Sequence, residues 1–167
     1  MWWTQGELER ARAGLNRVLT LAHETGDMET VAQAEHIFGH VEHALGHLDA
    51  ARERFMASID RFRRLAIPSG TGTALNGMAV LALATGDADQ AERLLDEAAS
   101  VLRLAGPWFL TWALYVRATL AVRRGHADEA IALMRESLTR IRELHDKFAF
   151  VYTLVPLAAA AVLKGQD

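Results

Sequence analysis

The chain has 167 residues, of which 51% are apolar and 23% charged, a balance that suits one folded domain and excludes a disordered tail. Eighteen basic against 21 acidic residues leave a net charge of −3, which argues against a segment that coats nucleic acid. There is no cysteine, so disulfides, thiolate metal sites and a cysteine nucleophile are excluded, and a reducing, cytoplasmic setting is expected.

The start, Met1-Trp2-Trp3-Thr4-Gln5, has no basic region followed by an apolar core, so no secretory leader is expected there. One period organises the rest. Gly6, Gly46, Gly86, Gly125 and Gly165 are spaced 40, 40, 39 and 40 residues apart. Five residues after each of the first four comes alanine: Ala11, Ala51, Ala91 and Ala130. Three after comes an acid: Glu9, Asp49, Asp89 and Asp128. Nine after comes a large apolar residue: Leu15, Phe55, Leu95 and Met134. Seven before the later glycines comes another small residue: Gly39, Ala79, Ala118 and Ala158.

Each feature has a physical reason. Glycine closes a helix in the left-handed conformation and lets the chain turn at once. The acid in the next first turn answers the helix dipole. The small residues allow two helices to cross closely, and the large apolar residue fills the layer between them. Each unit is therefore a helix A, a glycine turn and a helix B. B helices are predicted near 6–25, 47–65, 87–105 and 126–145. A helices are predicted near 28–45, 69–85, 107–124 and 148–164. Asp27 and Asp146 are placed to cap A helices, and Asp87 with Gln90 has capping-box spacing. Pro107 suits a first helical turn. Asp60/Arg64, Asp89/Arg93 and Glu136/Arg140 stand four apart on solvated B faces. The apolar run from Phe148 to Leu163 is too short to cross a membrane and reads as a buried helix.

The small residue in helix A, the turn glycine, the helix-B alanine and the large apolar residue together resemble a tetratricopeptide repeat. The resemblance covers essentially the whole chain. It implies an all-α, right-handed solenoid of about four antiparallel helix pairs. The unit is longer than the roughly 34 residues usual in the family and lacks its early helix-A tryptophan. That long period, with arginine replacing lysine except at Lys147 and Lys164, resembles the repeats of large bacterial regulators of the LuxR and MalT-like type. In such a parent, ATP hydrolysis and DNA contact would lie in other domains.

The resemblance also implies where a partner would sit, on helix-A positions −13, −10, −6 and −3 from each turn glycine. These are Gln33, His36, His40 and His43, then Thr73, Asn76, Val80 and Leu83. Next come Trp112, Tyr115, Thr119 and Val122, and last Tyr152, Val155, Ala159 and Val162. The groove is expected to grade from titratable to aromatic and to cradle a protein, a peptide or a small effector. For Trp112 and Tyr115, core packing is the simpler alternative.

His36, His40, His43 and His47 follow one another at spacings of 4, 3 and 4, as on one helical stripe. Such a stripe can chelate a metal or respond to pH, but no zinc-protease motif accompanies it, and a solvated face is the favoured reading. No bound metal or cofactor is therefore expected. Pro68-Ser69-Gly70-Thr71-Gly72-Thr73 lacks the lysine of a phosphate loop and reads as a turn opening a helix. Ser58, Ser69, Ser100 and Ser137 have no histidine in phase, so no catalysis is expected. The chain begins in a helix B and stops at a glycine turn, so it is expected to be a segment of a longer protein. Apolar end helices, with Trp2, Trp3, Leu154, Leu157, Ala161 and Val162, are expected to self-associate, for example as a homodimer.

Overall fold

The structure, a computed structural model, describes residues 4–103, 105–144 and 147–165, apart from the side chains of 107–108 and 144–152. Among these residues all regular structure is helical. The helices are α1 (Gln5–Thr25), α2 (Met28–Ala44), α3 (Leu48–Arg64), α4 (Pro68–Ala84), α5 (Ala88–Leu102), α6 (Pro107–Arg123), α7 (Ala127–Leu144) and α8 (Lys147–Lys164). Odd-numbered helices are the B helices and even-numbered ones the A helices, within a few residues of the predicted bounds.

The turn glycines explain the reversals. Gly46, Gly86 and Gly125 have φ of 83°, 84° and 77°, where a side chain would strain the backbone. Each closes a double C-cap: His47 N–H donates to the Glu42 carbonyl at 2.9 Å and Gly46 N–H to the His43 carbonyl at 3.0 Å. Asp87 and Gly86 repeat these bonds to Ala82 and Leu83, and His126 and Gly125 repeat them to Ala121 and Val122. Two expected turn glycines differ. Gly6 lies inside the first turn of α1, where Thr4 and Glu7 form the capping box, and neither Gly6 nor Gly165 adopts a left-handed φ. The opposite turns, from B to A, use left-handed Gly26, Ala66 and Gly106, again about 40 residues apart.

Asp27 and Asp87 cap α2 and α5, accepting from Thr30 N–H at 3.0 Å and Gln90 N–H at 2.9 Å. Asp146 lies outside the described residues, as do Trp2 and Trp3. Of the predicted i,i+4 pairs, Asp60–Arg64 and Glu136–Arg140 form, at 2.7 and 2.8 Å. Asp89 instead reaches Arg124 on the neighbouring unit, at 3.3 Å.

Packing follows the repeat. Ala51, Ala91 and Ala130 are fully buried, as are Phe55, Leu95 and Met134 within 1%. The core is a chain of local clusters bridging neighbouring helices, with no single centre. The Phe55 ring fills the layer between α2 and α4, lying against backbone at Gly39 and Gly77. Each helix packs on the next, and A helices also touch the following A helix: α2 on α4, α4 on α6, α6 on α8. Successive B-helix backbones do not approach one another in this way among the described residues, although the Arg63–Glu97 ion pair links α3 to α5 through side chains. The A helices therefore form the inner layer and the B helices the outer one. No helix of the described residues is long and apolar enough to cross a membrane.

Candidate partner groove

Because A helices meet A helices, side chains at matching positions of successive units converge on one face. A cavity of about 440 Å³ opens there, between α2, α4 and α6. His40 and His43 come from the first unit, Val80, Leu83 and Ala84 from the second. The third contributes Trp112, Tyr115, Val116, Thr119 and Arg123. The histidines of α2 and the aromatics of α6, expected along separate stretches of a groove, border this one cavity.

The aromatic wall is pre-shaped. Trp112 and Tyr115 stand three apart on α6 and stack at 5.1 Å between ring centroids, with planes 23° apart. Both are half-buried and also pack on the cluster around Leu95 and Val116. Groove lining and core packing are thus one arrangement: one part of each ring supports the fold and the rest meets the cavity. Thr119 donates to the Tyr115 carbonyl at 3.0 Å, a helix-internal bond. Arg123 donates to the Leu83 carbonyl, which joins α6 to the end of α4 across the cavity.

The histidine wall departs from expectation. His36 is only 8% exposed, so it belongs to the interior and not to a solvated face. Its ring lies edge-on to His40 at 4.8 Å, and both meet the Phe55 ring, at 6.0 and 5.0 Å. Burial, then the neighbouring His40, lowers the His36 pKa to about 3. Burial, then His43, lowers that of His40 to about 4, and burial lowers that of His43. These imidazoles are neutral in the fold at physiological pH. His47 does not continue the stripe: α2 ends at Ala44, and His47 is the residue before α3. Its Nδ1 lies 2.7 Å from a Glu42 carboxylate oxygen, and Glu42 also accepts from Arg12 Nε at 3.0 Å. Glu35, the other nearby carboxylate, accepts from Arg54 at 3.0 Å, and that guanidinium sits 4.1 Å over the Phe38 ring. No three metal-ligating side chains converge among the described residues.

The remaining candidates scatter. Gln33 is exposed on α2, and Thr73 is half-buried and donates to the Ser69 carbonyl at 2.7 Å. Asn76 is fully buried with neither amide atom hydrogen-bonded. Val155 and Val162 are exposed on α8, and the side chain of Tyr152 lies outside the described residues. Ala84 and Arg123 were missed because they occupy position −2, outside the four offsets considered.

Residues 70–143 match the family model described as tetratricopeptide repeat. No curated protein matches the sequence. Among solved structures, the chain is similar to the nearly identical TPR-like repeats of a kinesin light chain-like protein from Podosopora anserina. The TM-score is 0.66 at 16% identity, covering 97% of this chain and 81% of that one. A variant of the same protein gives a TM-score of 0.68 with equal identity and coverage. Repeats of this kind generally serve as protein–protein interaction scaffolds. The three repeated glycine turns, the buried alanines beside them and these matches agree that the chain is an α-solenoid of TPR-like helical repeats.

Proposed function

We propose that the chain is a binding scaffold that holds a protein segment, or a small effector, in the groove between α2, α4 and α6. One observation carries the reading: A-helix residues of three successive units line one cavity, with the stacked Trp112 and Tyr115 opposite the neutral His40 and His43. Such a wall suits an apolar or aromatic anchor flanked by groups able to make a few directed hydrogen bonds. The chain makes no catalytic contribution in this reading. Its parent is a bacterial, cytoplasmic regulator of the LuxR or MalT-like kind. That placement is supported by the 40-residue period and by the scarcity of lysine beside arginine. DNA is contacted elsewhere in that parent.

The test is a selection of peptides from a random library on the native chain. Peptides so obtained should bind Tyr115→Ala and Trp112→Ala at least tenfold more weakly, with far-UV circular dichroism unchanged. Equal affinity for native chain and both variants would refute the groove.

A further inference from the structure

Resting on the groove between α2, α4 and α6 as the binding site, we infer that its guest is a small aromatic monocarboxylate, with the rings on Trp112 and Tyr115 and the carboxylate on Arg123. The backbones of α2 and α6 do not approach one another and stand on either side of α4. α4 supplies an apolar floor of Val80 and Leu83, α2 a wall with His40 and His43, and α6 the opposite wall. A cavity of about 440 Å³ walled on three sides falls within the range of small-molecule sites, roughly 300–1,000 Å³. The stacked Trp112 and Tyr115 rings offer a flat apolar surface, which suits another aromatic ring.

Charge selects the acid. The chain carries −3 overall, yet no acidic side chain lines this cavity and one arginine does. α4 holds no charged residue, and α6 holds two arginines and no acid. Arg117 pairs with Asp96 on α5, whereas Arg123 meets no carboxylate among the described residues. One N–H of Arg123 goes to the Leu83 carbonyl, which fixes the guanidinium at the cavity edge and leaves its other donors for a guest. Glu35 and Glu42 of α2 are held by Arg54 and Arg12 and do not line the cavity. The carbonyls ending α4 would repel an anion if bare, but Ala82 accepts from Asp87 N–H, and Leu83 accepts from Gly86 N–H and Arg123. The neutral His40 and His43 imidazoles on the cavity wall each carry one further N–H donor. Tyr115 and Arg123 stand eight residues apart on α6, about 12 Å along the helix axis. A guest that bridges them has two fused or linked rings and one carboxylate at its end.

The experiment is titration calorimetry of the chain with biphenyl-4-carboxylate and indole-3-butyrate, each compared with its primary amide. Each acid should bind about tenfold or more tightly than its amide at low salt, and the ratio should shrink at high salt. Arg123→Met should bring each acid down to its amide while leaving the affinity for the amide within about twofold, and Arg123→Lys should keep most of the preference. Trp112→Ala should weaken acid and amide alike. Equal binding of acid and amide by the native chain, a preference that survives in Arg123→Met, or binding of neither acid would each overturn the proposal. The acid-to-amide ratio of the native chain decides the matter even if Arg123→Met fails to fold. The library peptides separate this failure from that of the groove. Peptides that need Trp112 and Tyr115 but carry no acid would sink the carboxylate and keep the groove, and peptides indifferent to both rings would sink the groove as well.

Discussion

Replacing Gly77 by alanine tests whether the Phe55 ring sets the spacing between α2 and α4. In an open helix the change should stabilise by about 1 kcal/mol, because glycine is a poor helix former. Here the new methyl would lie 2.5 Å from Phe55 Cε1 and 3.0 Å from Cζ. Carbon atoms prefer roughly 3.5–4.0 Å, so the ring must move by about 1 Å. It has nowhere to go: Phe55 is fully buried, Gly39 backs its other side, and the His36 and His40 rings meet its edge. Overpacking of this kind costs roughly 1–3 kcal/mol, so Gly77→Ala should destabilise by about 1 kcal/mol net. Phe55→Leu alone should cost about 1–2 kcal/mol, by loss of ring contacts. Together the two should cost less than their sum by about 1 kcal/mol or more, because the methyl then occupies space the ring vacated. Urea unfolding followed by far-UV circular dichroism measures all three. A stabilising Gly77→Ala, or effects additive within about 0.5 kcal/mol, would refute the argument.

Acidification should weaken the fold. His36 titrates at about 3 when folded against 6.5 when exposed, so between those values the unfolded chain binds more protons. The stability is complete above 6.5 and is lost as pH falls, by about 2 kcal/mol at pH 5; His36→Gln should flatten that slope in chemical denaturation. Glu42→Ala should cost roughly 1–3 kcal/mol by thermal denaturation, since its buried carboxylate joins Arg12 on α1 to His47 at the start of α3. A loss no greater than that of Asp60→Ala, which breaks an exposed pair, would show that burial adds nothing. At the groove, Tyr115→Ala should weaken a selected peptide by at least about 1.4 kcal/mol, read by calorimetry.

The elements that were legible in the sequence are those fixed within one repeat. Gly46, Gly86 and Gly125 announce their turns because only glycine is comfortable at that φ, and the alanine five residues on follows from the same crossing. The histidine stripe misled at His47 because helical phase was carried past the Gly46 turn, where the helix ends. Gly6 misled in the opposite way: its sequence neighbourhood matches the others, but it lies one residue inside α1, after the Thr4 cap, and has no left-handed φ. Ala66 hid the second left-handed position, since alanine gives no local sign of positive φ and only the period through Gly26 and Gly106 marks it. Asp89–Arg124 and Arg12–Glu42 join different helices, and spacing along one helix says nothing about them. Much of the cavity lining falls on the offsets considered, yet the burial of His36 was not legible, because it depends on the ring that a neighbouring helix inserts.

Successive A helices pack backbone to backbone while successive B helices meet through side chains alone, as at the exposed Arg63–Glu97 pair, and this makes the molecule mechanically lopsided. Flexing about the line of A helices opens or narrows wedges on the outer side and strains only side-chain links such as the exposed Arg63–Glu97 pair, whereas sliding along that line would shear α2 on α4 and α4 on α6. The softest deformation is therefore a change of curvature. The groove lies on the stiff inner line, so a guest that pulls α2 toward α6 tightens the arc and swings α1 relative to α8. Occupancy in the middle of the chain would be felt as an angle at its ends.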